Sequence, residues 1–427
     1  MAPPNPSVRY LLSLLGSIRK ESFGLERMRH LVAELGHPEL SPGIVHIAGT
    51  NGKGSTAAMI ESGLRSAGRS VGLYTSPHLS RINERFLVNG QEVSDEALAG
   101  AIEPVRRANE QVVAKYGRSA HPTFFESVTA VALVLFREAG LEHMIIETGL
   151  GGRLDASNVV RSELAVITRV NRDHEQYLGL DLAGIAAEKG AIVKPGGRVV
   201  MGLQADEARR ALLGCFERAD ADVIDVESDW SAQQASSEAG RWRFEAVGRD
   251  KLVKIELAIA GKHQVENALT AVATLCALNV RRAEIEDGLR RAKWPGRLEF
   301  ASSNPAVLLD AAHNPDGARA LAEFLRREAR GRRVTLIYGS SRDKAVDEVA
   351  AWLFPAADHV VLTRSRVQRA ASPEALLQAA GHHHANIETA DNIDEALQLA
   401  SAAASSDDWI VVAGSLFLVG EARELLG

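Results

Sequence analysis

Gly43-Ile-Val-His-Ile-Ala48, running straight into Gly49-Thr-Asn-Gly-Lys-Gly-Ser-Thr56, decides how the rest of the chain is read. The first piece is an apolar run of strand length and the second is a glycine-rich loop. A helical pattern follows through Met59, Ile60 and Leu64 and stops at Gly68, and Val71–Thr75 reads as the next strand. Strand, loop, helix and strand in that order imply a parallel sheet with right-handed crossovers. Glycines let backbone N–H groups close around phosphate oxygens, and the helix N-terminus behind them favours negative charge. Lys53 would reach the outer phosphates, and Ser55 supplies a hydroxyl for Mg²⁺. The general pattern GxxxxGK[ST] is broken twice: Ile47 stands at its first glycine, and Gly54 follows the lysine.

Outward from this loop the same alternation continues. Apolar spacing predicts helices between Val8 and Leu35, through Leu11, Leu14, Leu15 and Ile18 and then Met28, Leu31 and Leu35. A buried helix is expected at Val128–Phe136, with strands at His143–Thr148, Leu164–Val170 and Arg198–Met201 and a helix carrying Glu188 and Lys189. Arg241–Val247 and Leu252–Ala260 alternate like a small antiparallel addition, and a helix follows Gly261. Beyond Trp294-Pro-Gly296 a second series begins, with strands at Val307–Asp310, Val334–Tyr338, His359–Leu362 and Trp409–Val412. The expected organisation is an α/β chain: a P-loop-type, mostly parallel sheet domain over 1–295 and a smaller Rossmann-like domain over 296–427. The ATP site is expected in the cleft between them.

A chain of 427 residues suits about two or three domains. Its net charge of −6 leaves no positive excess for a nucleic-acid backbone. Hydrophobic residues at 46% are enough for a sizeable core. Cys215 and Cys276 form no CxxC pair, which excludes a zinc ribbon and suits a reducing cytoplasm. No apolar run reaches a membrane span, so a cytoplasmic protein is expected. The tract Gly381-His-His-His384 is isolated in sequence and reads as a surface loop rather than a metal site.

Polar groups cluster at strand ends, where open α/β sheets bind ligands. Glu147 closes one strand, Asp173-His174 follow another, and Asp310 and His313 stand at the end of a third. Together with the loop they describe a Mg²⁺–ATP enzyme built from two α/β domains.

Longer strings take the reading further. His46–Thr56, Tyr74-Thr-Ser-Pro-His-Leu79 with Asn83-Glu-Arg85, and Glu147-Thr-Gly-Leu-Gly-Gly-Arg-Leu-Asp-Ala-Ser-Asn158 resemble the folylpolyglutamate synthase and dihydrofolate synthase family of the Mur ligase superfamily. Phe23-Gly-Leu-Glu-Arg27, Gly261-Lys-His-Gln264 with Asn267, Trp294-Pro-Gly-Arg297, Asp310–Pro315 and Ala413-Gly-Ser-Leu416 resemble further motifs of that family, most of all its bifunctional bacterial type.

The resemblance implies Mg²⁺ ligands at Ser55, Ser76, Glu147 and His174, and a triphosphate site at Thr50, Asn51, Gly52, Lys53, Gly54 and Ser55. It implies ATP contacts at Asn267, Arg297 and Asp310, with His313 beside them. Lys189 matches a lysine that is carbamylated and holds a second Mg²⁺, although Gly190-Ala191 inverts the family's Ala-Gly pair. Lys53, Lys189, His174 and Arg297 form the implied catalytic set. The implied pterin site is Thr123, Phe124, Phe125 and Glu126 with Leu154, Asp155 and Ala156, Phe125 being the stacking ring. Arg81 and Arg85 are expected to be solvated or structural. Arg172 stands where the family has leucine, and it could pair with Asp155, a phosphate or solvent.

The implied reaction is ATP-dependent amide formation through an acyl phosphate, joining L-glutamate to dihydropteroate and to polyglutamylated tetrahydrofolate. A monomer is expected, with small molecules as its only partners, neither nucleic acid nor membrane; a monovalent-cation requirement stays open. Two alternatives carry less weight. A Mur-type ligase for a UDP-linked peptidoglycan precursor would place Thr directly after Lys53 and carry a further N-terminal domain. A non-catalytic nucleotide-binding protein would not need so many charged groups.

Overall fold

The structure, a computed structural model, describes residues 5–15, 24–173 and 175–426. The expected helical residue Ile18 and the motif residue Phe23 lie outside that range. Among the described residues, seventeen strands succeed one another. The first eight are β1 (Ile44–Ala48), β2 (Val71–Tyr74), β3 (Phe86–Val88), β4 (Gln91–Glu92), β5 (His143–Glu147), β6 (Leu164–Ile167), β7 (Arg198–Met201) and β8 (Asp222–Asp225). They form one sheet in the order β4-β3-β2-β5-β1-β6-β7-β8. All pairings from β2 to β8 are parallel, and only β3 and β4 run antiparallel at one edge.

The central strands read as continuous apolar runs because both of their faces are covered. On one side lie the helices Lys53–Ser66, His263–Ala277 and Arg282–Arg291, whose Met59, Ile60, Val272 and Ile285 share a core with Val45 and Ile47. On the other lie Pro6–Ser13, Glu26–Glu34, Asp95–Tyr116 and Phe124–Glu138, packed on Ile44, Tyr74 and Ile146.

A separate three-stranded antiparallel sheet is built from β9 (Trp230–Glu238), β10 (Arg241–Gly248) and β11 (Leu252–Glu256). The expected hairpin is there, extended by one more strand whose polar residues carried no alternation signal. A six-stranded sheet follows: β12 (Glu299–Ser303), β13 (Ala306–Leu309), β14 (Val334–Tyr338), β15 (His359–Leu362), β16 (Ile387–Thr389) and β17 (Trp409–Ala413), ordered β12-β13-β17-β14-β15-β16. It is parallel except at the β12 edge. Leu308, Leu336 and Val411 face one helical layer and Leu309, Ile337 and Val412 the other, as the two-residue repeat of a strand requires. The two α/β domains and their mostly parallel sheets are those expected. Among the described residues no helix is long and apolar enough to cross a membrane.

One close approach fixes the helix that carries the phosphate loop. Gly288, on Arg282–Arg291, lies so near Lys53–Ser66 that a Cβ there would stand 2.5 Å from the Cα of Gly63. The Ser62 hydroxyl donates to the Gly288 carbonyl at 2.8 Å across the same contact. Gly288→Val must push the two helices apart, and a loss of about 1–3 kcal/mol is expected in urea unfolding. An unchanged midpoint would show the contact to be loose.

Candidate active site

The segments that follow the carboxyl ends of β1, β2, β5 and β6, and of β13 across the cleft, line one cavity of about 710 Å³. That volume suits a nucleotide-sized ligand. Thr50, Asn51, Gly52, Lys53, Gly54 and Ser55 line it, and so do Ser76, Glu147, Lys189, Asn267, Arg297, Asp310 and His313. The first sheet and the sheet after residue 296 therefore contribute to a single chamber.

The loop leaves β1 and turns at Gly52, whose φ of 86° lies in the left-handed region and caps the helix beginning at Lys53. Lys53 Nζ folds back onto its own loop, donating to the carbonyls of Gly49 at 3.0 Å and Thr50 at 3.2 Å. Lys189 Nζ donates to that same Gly49 carbonyl at 3.0 Å. Burial, and next the charge of Lys53, push the Lys189 amine down to about 7. Parallel register sets Glu147 of β5 beside Ile47 of β1, so its carboxylate emerges beside the loop, 4.0 Å from Lys53 Nζ. Its other oxygen accepts from the Ser76 backbone at 3.1 Å. Burial raises this carboxyl, and Lys53 opposes the rise. The Ser55 hydroxyl is held by Gln264 Nε2 at 3.2 Å, and Asn267 in turn donates to Gln264 at 2.9 Å. Hydroxyl and carboxylate oxygens of this kind fit Mg²⁺, a hard cation.

Across the cleft, Asp310 accepts from the backbone of Leu298 and Ala312, each at 2.9 Å. Arg297 faces the cavity, where burial lowers its guanidinium and Asp310 and Glu147 act in the opposite direction. His313 Nδ1 lies 2.8 Å from the Ala311 carbonyl.

Direct bonds tie the two domains together at this point. Asp316 Oδ2 accepts from Asn51 of the loop at 3.0 Å and from Asn171 at 2.8 Å. Asn314 donates to Asn51 at 3.0 Å, and Lys344 Nζ donates to Asp173 at 2.8 Å. Sequence reading missed Gln264, Asn314, Asp316 and Lys344 as members of the site. The first three lie in or beside quoted motifs, but only the fold brings them onto Ser55 and Asn51.

Of the expected ligands, His174 lies outside the described residues. The expected pterin residues stand apart from the rest: none of Thr123, Phe124, Phe125, Glu126, Leu154, Asp155 and Ala156 lines the cavity. Thr123 and Glu126 form the capping box of helix Phe124–Glu138, and Arg27 pairs with Glu126 at 3.1 Å. Asp155 accepts from the backbones of Gly149, Leu150 and Ser157 and from the Ser157 hydroxyl, so it fastens its own loop. Ala156 is buried, and Phe124 carries the Arg85 guanidinium 5.6 Å above its ring. Phe125 lies with its ring tip against Gly149, which lines the wall and is also held by Asp155.

Arg85 is buried and structural, donating to His78 Nδ1 at 2.9 Å, while Arg81 pairs with Asp95 at the surface. Arg172 is exposed, which favours solvent among its three expected partners. The inverted Gly190 faces Leu212 and Cys215 of the next helix and leaves Lys189 turned to the loop.

Comparison with known proteins follows the same geometry. Residues 47–275 match the Mur ligase middle domain, and 296–416 match the Mur ligase, glutamate ligase domain. The dihydrofolate synthase/folylpolyglutamate synthase of Bacillus subtilis is 34% identical, covering 94% of this chain and 95% of the relative. The chain is a member of the dihydrofolate synthase/folylpolyglutamate synthase family. A relative of Halobacterium salinarum named probable bifunctional folylpolyglutamate synthase/dihydropteroate synthase is 37% identical over 94% of the chain, which spans only 49% of that longer relative. The solved Mycobacterium tuberculosis folylpolyglutamate synthase, complexed with ADP and AMPPCP, superimposes with a TM-score of 0.92 at 33% identity, covering 99% of both chains. A bifunctional folylpolyglutamate synthase/dihydrofolate synthase from Yersinia pestis, complexed with AMPPNP and Mn ion, gives 0.85 at 29% identity over 100% of both. Like its family, this dihydrofolate synthase/folylpolyglutamate synthase relative is an ATP-dependent ligase.

The Lys189 shift has a sign that can be measured. The unfolded chain binds more protons between about pH 7 and the free lysine value near 10.4, so the cost of burying this cation is complete below that window and fades across it. Lys189→Met buries no charge. In CO₂-free buffer its stability relative to wild type should be highest near pH 6, falling by on the order of 1 kcal/mol per pH unit above pH 7. Urea midpoints of both proteins at several pH values check this, and a pH-independent gap would contradict it.

Proposed function

We propose that this protein joins L-glutamate to dihydropteroate and to polyglutamylated tetrahydrofolate, consuming ATP through an acyl phosphate. The observation that carries this reading is the meeting of Lys53, Glu147 and Lys189 with Arg297 and Asp310 of the second domain in one chamber. A Mur-type peptidoglycan ligase gives way because the match to the folate enzymes runs nearly the full length of the Bacillus relative. We place the division between the domains at 295/296, and read the enzyme as a cytoplasmic monomer acting on small molecules without a nucleic-acid partner.

A carboxylate resists nucleophiles because of its charge and because oxide leaves poorly. Its oxygen attacks the γ-phosphorus of ATP, ADP departs, and the acyl phosphate carries a good leaving group. The glutamate α-amine then attacks the carbonyl carbon, the tetrahedral intermediate expels phosphate, and the amine loses its proton. Lys53 leaves its loop carbonyls for the phosphates, and Arg297 opposes it from the other domain, so charge is met from both sides during transfer. Mg²⁺, held by Ser55, Ser76, Glu147 and His174, would supply further neutralisation of the phosphates. The bonds from Asp316 and Asn314 to Asn51 keep the domains closed, which excludes water that would hydrolyse the acyl phosphate.

Lys189 is the carbamate residue in this reading. A neutral amine attacks CO₂, loses a proton and becomes an anion with two oxygen donors suited to a second Mg²⁺. The depressed value near 7 keeps a large fraction neutral at physiological pH. With ¹³C-bicarbonate, wild type should give a carbamate carbon resonance that Lys189→Met lacks; its absence from wild type with Mg²⁺ and ADP present would remove the assignment.

Mass detection of the glutamylated product, with MgATP, L-glutamate and either dihydropteroate or tetrahydrofolate, tests the whole reaction. Product from both acceptors is expected, and product from neither would overturn the proposal. Lys53→Ala should lower kcat by about 100-fold or more. Phe125→Ala should raise KM for the pterin acceptor about three- to tenfold with KM for ATP unchanged, the split that ring stacking requires.

A further inference from the structure

The histidine tract is the one singled-out motif that the ligase reaction leaves unused. In the fold it forms a short helical turn, Gly381–His383, beside the first turn of helix Val346–Leu353. His382 Nε2 and His383 Nε2 both point at Asp347 Oδ1, at 3.3 Å and 2.8 Å. One ligand atom from each of the three residues lies within 4.8 Å of the other two. His384 turns the other way, its ring nitrogens 2.9 Å and 3.1 Å from the carbonyls of Asn386 and Ala357. That inward anchor fixes the turn and presents its two neighbours together. His382 and Asp347 are exposed and His383 is half-buried, so an ion can enter without any rearrangement of the core.

We propose that His382, His383 and Asp347 form a surface binding site for a borderline divalent transition ion such as Zn²⁺, remote in chemistry from the Mg²⁺ site. Two imidazole nitrogens and one carboxylate oxygen suit zinc, with solvent completing the coordination, whereas Mg²⁺ prefers an all-oxygen shell. The ion takes the lone pairs of the two Nε2 atoms, moving each neutral ring to its Nδ1–H tautomer and releasing a proton from any ring that was charged. Sequence reading set the tract aside because it is short and isolated, with no further donor offered beside it. That donor is Asp347, brought up by the neighbouring helix.

Zinc titration of the tag-free full chain, with saturating Mg²⁺ and ADP to occupy the catalytic cavity, tests the site. Calorimetry should find roughly one ion per chain, with binding weakening in acid as protons compete for the ring nitrogens. His382→Ala combined with His383→Ala should weaken binding by more than the roughly tenfold that loss of an outer-shell partner costs. Asp347→Asn should weaken it as well, while glutamate ligation without zinc stays unchanged in every variant. Equal zinc affinity in wild type and the double variant would overturn the proposal, as would wild type that binds no zinc.

Discussion

Two lysines share one carbonyl. Lys53 and Lys189 both donate to the oxygen of Gly49, and they come from helices that belong to the cores on opposite faces of the first sheet. Two cations at one acceptor, mostly out of water, repel each other, and the more deeply buried of the two yields its proton. Lys189 becomes an amine able to react. Sheet register draws Glu147 beside Lys53, while Asp173 and Asp155 are the first carboxylates to act on Lys189. A division of labour between two identical side chains thus follows from depth of burial.

The second domain acts on the first through a few short polar bonds. Asn314 caps the helix Pro315–Glu328 and also donates to Asn51, and Asp316 in the first turn of that helix accepts from Asn51 and Asn171. The loop that receives phosphate is therefore held from across the cleft. Lys344 repeats the device on Asp173, next to the expected ligand His174.

Much of this was legible before folding. The apolar runs of β1, β5, β13 and β14 and the charged residues at their ends mark a doubly covered parallel sheet, and the expected nucleotide-contacting residues that are described share one cavity. The strands β3, β4, β12 and β16, at or next to sheet edges, are short or polar and carry no period. Helix Asp95–Tyr116 holds Pro104 in its interior, a residue that argues against helix in any local reading. Asp155 and Glu126 look in sequence like ligands; in the fold Asp155 accepts from the backbones of Gly149 and Ser157, and Glu126 accepts from the Thr123 backbone and pairs with Arg27. Gln264 and Asp316 carry no signal of their own, because Ser55 and Asn51, the loop residues they hold, are more than 200 residues away in the chain.

Trp294 closes the account from the other side of the loop. Its ring lies against Gly54, where a Cβ would stand 2.2 Å from the indole, one residue into the helix that cradles the phosphates. The other tryptophans, Trp230, Trp242, Trp352 and Trp409, belong to strands and helices elsewhere. Any shift of that first helical turn changes the surroundings of a single indole beside the junction of the two domains. The protein thus carries its own optical probe, a fluorophore whose emission follows the loop without any label.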